Sequence, residues 1–242
     1  MDIVSLALVS LFTSTVAGVF GLGGGMLLIA ILPFMLPAPA IIPVHAVTQI
    51  ASNGSRALFS LSDILWRFFP WFIVGSVVGI VLVGSMVFTV PADIFPIAIG
   101  LYIIASQWSE TFNRLLRRFE SFALIGFLQT GLGLIVGATG PLTTTLLKKR
   151  SDDKDKIVAT NALFMLISHV AKCVVFGFAG FTFATFLHEI IALVVGAIAG
   201  SYLGKQLRGM ISPQRFLIIL KWLLTALALL MITRTLYFLI EP

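Results

Sequence analysis

Gly21-Leu22-Gly23-Gly24-Gly25-Met26 interrupts an apolar run that extends from Ile3 to Leu36. Four glycines in five positions loosen a helix, because glycine adds backbone freedom and brings no side chain to pack. Irregular backbone at membrane depth persists only where it faces protein or a water-filled cavity. The run therefore predicts a broken helix beside a polar site. A second interruption, Gly137-Ala138-Thr139-Gly140-Pro141, starts 116 residues later (137 − 21). Each break is followed 31 residues on by a polar stretch (52 − 21 and 168 − 137). These are Ser52-Asn53-Gly54-Ser55-Arg56 and Ser168-His169-Val170-Ala171-Lys172.

The composition, 59% hydrophobic and 11% charged with mean hydropathy +1.08, excludes a water-soluble domain. Apolar runs of about 20 residues recur, long enough to cross a hydrocarbon layer of about 30 Å. The longest polar stretch is Lys148 to Lys156, so residues 1–242 read as a single transmembrane domain. The first apolar run lacks a basic leader and a small-residue cleavage site, which marks it as structure and not a removed signal peptide. The lone Cys173 allows no intramolecular disulfide. The formal charge of +6 falls mostly in short loops between spans, the pattern of cytoplasmic loops, so no nucleic-acid partner is needed.

The chain reads as all-α and polytopic. Segment one is 3–36, broken at 21–25, followed by 44–62, 65–89 and 93–108; a basic loop, 109–120, joins the halves. The second half repeats the plan with 121–147, broken at 137–141, then 157–179, 184–207 and 213–239. Gly75 and Gly79 match Gly196 and Gly200 at a spacing of 121 (196 − 75), a pair of small residues suited to close helix packing. Pro91 matches Pro213. Twelve of the 16 Lys and Arg fall in loops that share one side only if segments one and five enter and return to the same face. Each half then becomes a broken re-entrant helical hairpin followed by three transmembrane helices. The halves, 1–108 and 121–240, form two inverted repeats with both termini extracytoplasmic, a recurring transporter plan.

The breaks leave bare N–H groups at the starts of two half-helices, where the helix dipole favours an anion. Gly23, Gly24 and Gly25 supply the first set; Thr139 and Gly140, ahead of Pro141, supply the second. Arg56 and Lys172 are charges inside spans, which are costly and mark a site or a partner. Arg56 could instead snorkel or pair toward Asp63, and Lys172 could reach the outer interface. Gln49, Ser52 and Asn53 accompany Arg56; Asn161, Ser168 and His169 accompany Lys172. Polar donors on one helical face suit an oxyanion, although each alone also serves as a helix–helix hydrogen bond. His45, His169 and His188-Glu189 are candidates for proton coupling, with His45 and His188 expected at membrane interfaces. No GxSxG turn, HExxH or paired intramembrane carboxylates point to an enzyme, and no soluble βαβ unit surrounds the glycines.

With its Gly21-Leu22-Gly23-Gly24-Gly25-Met26 motif and duplicated small-residue helices, the chain resembles the TauE/SafE family, also called the sulfite exporter or TSUP family. The resemblance spans nearly the whole chain and departs in the second break, where Thr139 and Pro141 replace a triple glycine. It implies a prokaryotic inner-membrane secondary transporter of sulfite, sulfonates or other organosulfur and carboxylate anions, often an exporter, working by alternating access without a cofactor or metal. The expected partners are the anion and membrane lipids, with proton or sodium coupling and a homodimer left open. A passive anion channel and a non-transporting membrane protein remain the alternatives.

Overall fold

The computed structural model describes residues 2–21, 23–87, 89–208, 210 and 213–240; Leu22 of the first break and the side chains of Pro213 and Arg215 lie outside the described residues. Among the described residues every regular element is a helix. Helix α1 (Ile3–Phe20) starts on the Asp2 carboxylate, which accepts from the Val4 amide at 3.0 Å. It stops at Gly21, whose φ of 74° is open to glycine at little cost. Gly23, at φ 89°, then leads into the eight-residue α2 (Gly24–Ile31). A Cβ on Gly24 would lie 2.0 Å from the Thr13 carbonyl oxygen and 2.6 Å from Ala17 Cβ. The chain therefore doubles back along α1.

The second break repeats this geometry. After α3 (Ala38–Leu58), α4 (Phe69–Val87), α5 (Phe95–Trp108) and α6 (Glu110–Arg118) comes α7 (Phe122–Val136), ending at Gly137 with φ 74°. The eight-residue α8 (Gly140–Leu147) returns along it. Thr139 Oγ1 donates to the Gln129 carbonyl at 3.0 Å, and Thr143 donates to the Gln129 side-chain oxygen. Helices α9 (Lys154–Phe178), α10 (Leu187–Leu207) and α11 (Pro213–Ile240) complete the chain.

Small residues dictate which helices touch. Cβ atoms on Gly75 and Gly79 of α4 would meet backbone of Ala123 and Phe127 of α7; on Gly196 and Gly200 of α10 they would meet backbone of Ala7 and Leu11 of α1. Both offsets of the sequence reappear as one contact made twice: 196 − 75 and 200 − 79 are 121, while 123 − 7 and 127 − 11 are 116. Close backbone approach is how helices associate where lipid removes the hydrophobic drive between them. The hairpin of each half thus packs on a helix of the other half, and Ser10 Oγ ties α1 to the Leu193 carbonyl at 2.6 Å. The polar faces of α3 and α9 meet in the centre.

Among the described residues five helices are long and apolar enough to cross a membrane, Ile3–Phe20, Trp66–Val87, Lys154–Phe178, Phe183–Leu207 and Phe216–Ile240, and a sixth span arises if Ala92–Trp108 and Glu110–Arg118, bent by 85°, count together. Their outward faces carry exposed Val77, Val81, Ile191, Val195 and Ile219, as lipid contact demands. Helix α3 falls short on hydropathy because Thr48, Gln49, Ser52, Asn53 and Arg56 occupy it, yet all five are buried in protein.

Two segments differ from the sequence expectation. Residues 109–120, read as a loop, contain α6, whose N-cap Ser109 accepts from the Phe112 amide at 3.1 Å. Residues 37–43, read as a connection, contribute the first turn of α3, where Pro39 suits a position that needs no N–H. The polar loops gather at one end of the molecule. Lys149 Nζ donates to the Arg117 carbonyl and pairs with Glu120, while Arg67, Glu120 and Arg150 line one hollow. Arg208 pairs with Asp155 at 2.6 Å, and Lys205 donates to the Phe59 carbonyl.

Candidate functional site

The two breaks meet in the interior. A cavity of about 30 Å³ is lined by Gly21, Gly23, Gly24, Gly25, Gln49, Asn53 and Arg56 from the first half, and by Ala138, Gly140, Pro141, Asn161 and Met165 from the second. Ala17 and Met26 complete it. The N-termini of α2 and α8 both open here, so unpaired amides and two positive dipole ends face one small volume. The space accepts about two water molecules.

Arg56 is held by three donations. Nη1 reaches the Ala17 carbonyl at 3.1 Å, Nε the Ser52 carbonyl at 3.1 Å and Nη2 the Asn53 Oδ1 at 2.6 Å. Asn53 is oriented in turn by Nδ2 donation to the Gln49 carbonyl at 2.8 Å and side-chain oxygen at 3.1 Å. Lys172 occupies the corresponding place in the second half: its Nζ donates to the Gly137 carbonyl, stands 3.3 Å from His169 Nδ1 and passes beside Gly133. Ala17 and Gly133 differ by 116, as do Arg56 and Lys172. Each cation therefore caps the C-terminal, negative end of a broken helix. Neither snorkels and neither pairs with Asp63; both are buried. Among the described residues the ion pairs are Arg117–Glu110, Lys149–Glu120, Lys156–Asp153 and Arg208–Asp155, none of which includes Arg56 or Lys172. The two interior cations are held by carbonyl oxygens and, for Lys172, by His169 Nδ1.

Of the residues expected from sequence, Gly23, Gly24, Gly25, Gln49, Asn53, Arg56, Gly140 and Asn161 line the cavity. Ser52, Thr139, Ser168, His169 and Lys172 lie behind the lining. Ser52 and Ser201 bond to each other at 3.3 Å, and Ser201 Oγ donates to the Ser52 carbonyl at 3.0 Å, joining α3 to α10. Ser168 accepts from Gln129 Nε2 at 3.2 Å and lies 3.2 Å from Thr130 Oγ1. Thr139 braces its own hairpin through Gln129. Asn161 Nδ2 donates across the halves to the Gly21 carbonyl at 3.1 Å, and its buried Oδ1 has no partner.

One candidate was misplaced by the sequence reading, and two residues escaped it. His45 is fully buried instead of interfacial, with Nε2 2.9 Å from the Gly25 carbonyl. Gln129, inside an apolar run, is the hub that links Thr139, Thr143 and Ser168. Met165 lines the cavity opposite Gln49. The offset of 116 was the available signal: it pairs His45 with Asn161, which both bond carbonyls of the first break, and Gln49 with Met165. Among the described residues no cluster of His, Cys, Asp or Glu could hold a metal ion.

A family model described as Sulfite exporter TauE/SafE matches residues 6–231, so the chain belongs to that family. No curated protein and no solved structure matches it. The family and the apolar helices make the chain an integral membrane protein of a transporter family whose members export sulfite or related anions.

Proposed function

We propose that this member of the TauE/SafE family is a secondary carrier of small oxyanions such as sulfite, sulfonates or other organosulfur and carboxylate anions, moved outward by alternating access. The observation that carries the reading is the pair of buried cations without counter-carboxylates, set around the point where two helix N-termini meet. An isolated buried charge is expensive, and the carbonyls that now hold Arg56 and Lys172 offset only part of that cost. A bound anion supplies the rest. The Gly23–Gly25 and Gly140 amides grip its oxygens, Arg56 provides charge, Gln49, Asn53 and Asn161 orient it, and Lys172, Ser168, His169, Thr139 and Ser52 hold the two hairpins that form the walls. A hollow with room for only about two waters favours a gated carrier over a standing pore.

The repeated glycine contacts support an inverted repeat, with each α1–α2 or α7–α8 hairpin re-entrant and the polar loops of one end cytoplasmic. The membrane is then the prokaryotic inner membrane. Exchange of the two hairpin conformations would switch access from one face to the other.

Purified protein in proteoliposomes loaded with sulfite tests this by counterflow of labelled sulfite, with methanesulfonate and short carboxylates as competitors. Arg56→Ala is expected to abolish binding while leaving a monodisperse, folded product. Retained affinity in that variant, or no counterflow by the unmodified protein, overturns the assignment. Uphill accumulation separates the carrier from a passive channel.

A further inference from the structure

The two histidines at the centre form a junction between the halves that anion binding alone does not use. His45 of α3 and His169 of α9 stand edge to face with ring centroids 5.4 Å apart. Each ring has one nitrogen engaged and one buried without a partner: Nε2 of His45 faces the Gly25 carbonyl and Nδ1 is free, while Nδ1 of His169 faces Lys172 Nζ and Nε2 is free. The engaged atoms decide the tautomers. A carbonyl only accepts, so His45 carries its proton on Nε2 and Nδ1 is a bare acceptor. An ammonium only donates, so His169 accepts at Nδ1 and carries its proton on Nε2. The two free nitrogens are thus a donor and an acceptor, on neighbouring rings, in a place where an unpartnered polar atom is costly.

Two bonded stretches meet at the rings. One runs from the Gly137 carbonyl through Lys172 to His169, the other from the Gly25 carbonyl to His45, and the edge-to-face ring contact lies between them. Gly25 lines the anion cavity. The charged and titratable groups that face the rings are Lys172 of α9, with Cys173 beside it, and Arg56 of α3. No carboxylate faces them among the described residues. A proton on His45 therefore meets the nearby charge of Lys172, which an anion in the cavity would offset.

Resting on the anion-carrier reading, we infer that His45 Nδ1 is the proton-coupling site of this transporter, with His169 positioning it. On arrival of the anion, Nδ1 of His45 takes one proton from the open side and the ring becomes an imidazolium. It keeps its Nε2–H bond to the carbonyl of Gly25, a residue of the cavity wall, and adds a positive charge behind that wall. The proton leaves Nδ1 toward the opposite side when the anion departs. Protonation also turns His45 into a donor on both nitrogens, facing the donor Nε2–H of His169, so the contact between the halves loosens in the loaded state. Anion and proton assist each other's binding by the same factor, as linkage requires. His169 accepts from the Lys172 ammonium at Nδ1, which leaves His45 Nδ1 as the bare acceptor of the pair.

The test uses His45→Gln, whose amide can still donate to the Gly25 carbonyl but takes no proton, and His169→Gln, which retains a donor toward His45. In weakly buffered detergent solution, methanesulfonate is the probe because its sulfonate does not titrate near neutral pH. The unmodified protein should take up a proton as the probe binds, His45→Gln should take up none, and His169→Gln should take one up over a shifted pH range. In proteoliposomes, His45→Gln should lose pH-gradient-driven accumulation of sulfite by about tenfold or more, a typical coupling factor, while counterflow persists. Undiminished proton uptake or pH drive in His45→Gln overturns the proposal, as does joint loss of counterflow and pH drive in a folded His45→Gln protein. Absence of counterflow in the unmodified protein refutes the carrier reading instead, and proton uptake on probe binding still decides the histidine.

Discussion

The two breaks solve one geometric problem with different residues. The first relies on bare backbone: Gly24 lies against α1 so closely that even a methyl group would clash with the Thr13 carbonyl. The second is looser at the matching position, where a Cβ on Gly140 would meet only the Met165 sulfur at 3.9 Å, and it is stiffened by Pro141 and by the Thr139 and Thr143 bonds to Gln129. The cations differ in the same sense. Arg56 spreads three donations over the first half, whereas Lys172 threads a single ammonium past Gly133 to Gly137. Equivalent backbones therefore tolerate unequal chemistry, and substitutions at matched positions should not have matched effects.

The largest contrast is expected between Gly24→Ala and Gly140→Ala. The first drives a methyl into backbone and should cost about 3 kcal/mol or more, the upper range for overpacking, with loss of folded yield; the second should leave the melting temperature in detergent almost unchanged. Equal melting temperatures would erase the distinction between the breaks.

Exchanging the cations should hurt the second half more. Lys172→Arg must place a planar guanidinium where a Cβ on Gly133 would already sit 3.0 Å from Nζ, and it should destabilise the protein by about 1–3 kcal/mol. Arg56→Lys keeps the charge and loses part of the three-fold anchorage, so it should fold and bind the anion about tenfold more weakly, the worth of one lost charge-assisted bond. Isothermal titration with sulfite, together with thermal melts, separates the two outcomes.

A smaller effect attaches to Thr139→Val, which removes one buried bond to the Gln129 carbonyl and should cost about 1 kcal/mol. The corresponding Gly23 has no side chain to lose. A change in transport without a change in stability would give Thr139 a direct role toward substrate.

The smallest effect concerns the helix starts. Helix α9 is capped by Asp153, whose carboxylate accepts from the Lys156 amide at 3.3 Å and the Asp155 amide at 2.9 Å, while its counterpart α3 begins at Pro37 without a side-chain cap. The Lys156 and Asp155 amides, helped by the Lys156 ammonium, hold the Asp153 carboxyl below the ordinary carboxylate value. Its contribution is therefore fully present above that value and disappears as pH falls through the lower value of the folded state. The hydrogen-exchange protection factor in the first turn of α9 should fall on acidification in the unmodified protein, and should already be low and insensitive to pH in Asp153→Ala.

Much of this was legible in the chain. The glycine runs, the offset of 116 and the intramembrane Arg56 and Lys172 locate the central cavity from one side, because backbone breaks and buried charges leave marks in composition. What escaped depends on partners. An internal offset reports which residues are equivalent, not which are in contact, so the packing of each hairpin on a helix of the other half was invisible. His45 was misplaced because the second segment was read from residue 44, which put it at a helix end, whereas α3 begins at Ala38. Gln129 vanished into the apolar run of α7. Helix α6 was missed because its Arg-rich sequence reads as a loop until Ser109 is seen to cap it.

The crossed pairing of hairpins and glycine helices has a bearing on how the molecule is made. Ser10 reaches its partner carbonyl 183 residues downstream, so the seam of α1 closes only after α10 has been made. Neither moiety can mature alone, and translation of the C-terminal moiety is the step that locks the N-terminal one in place.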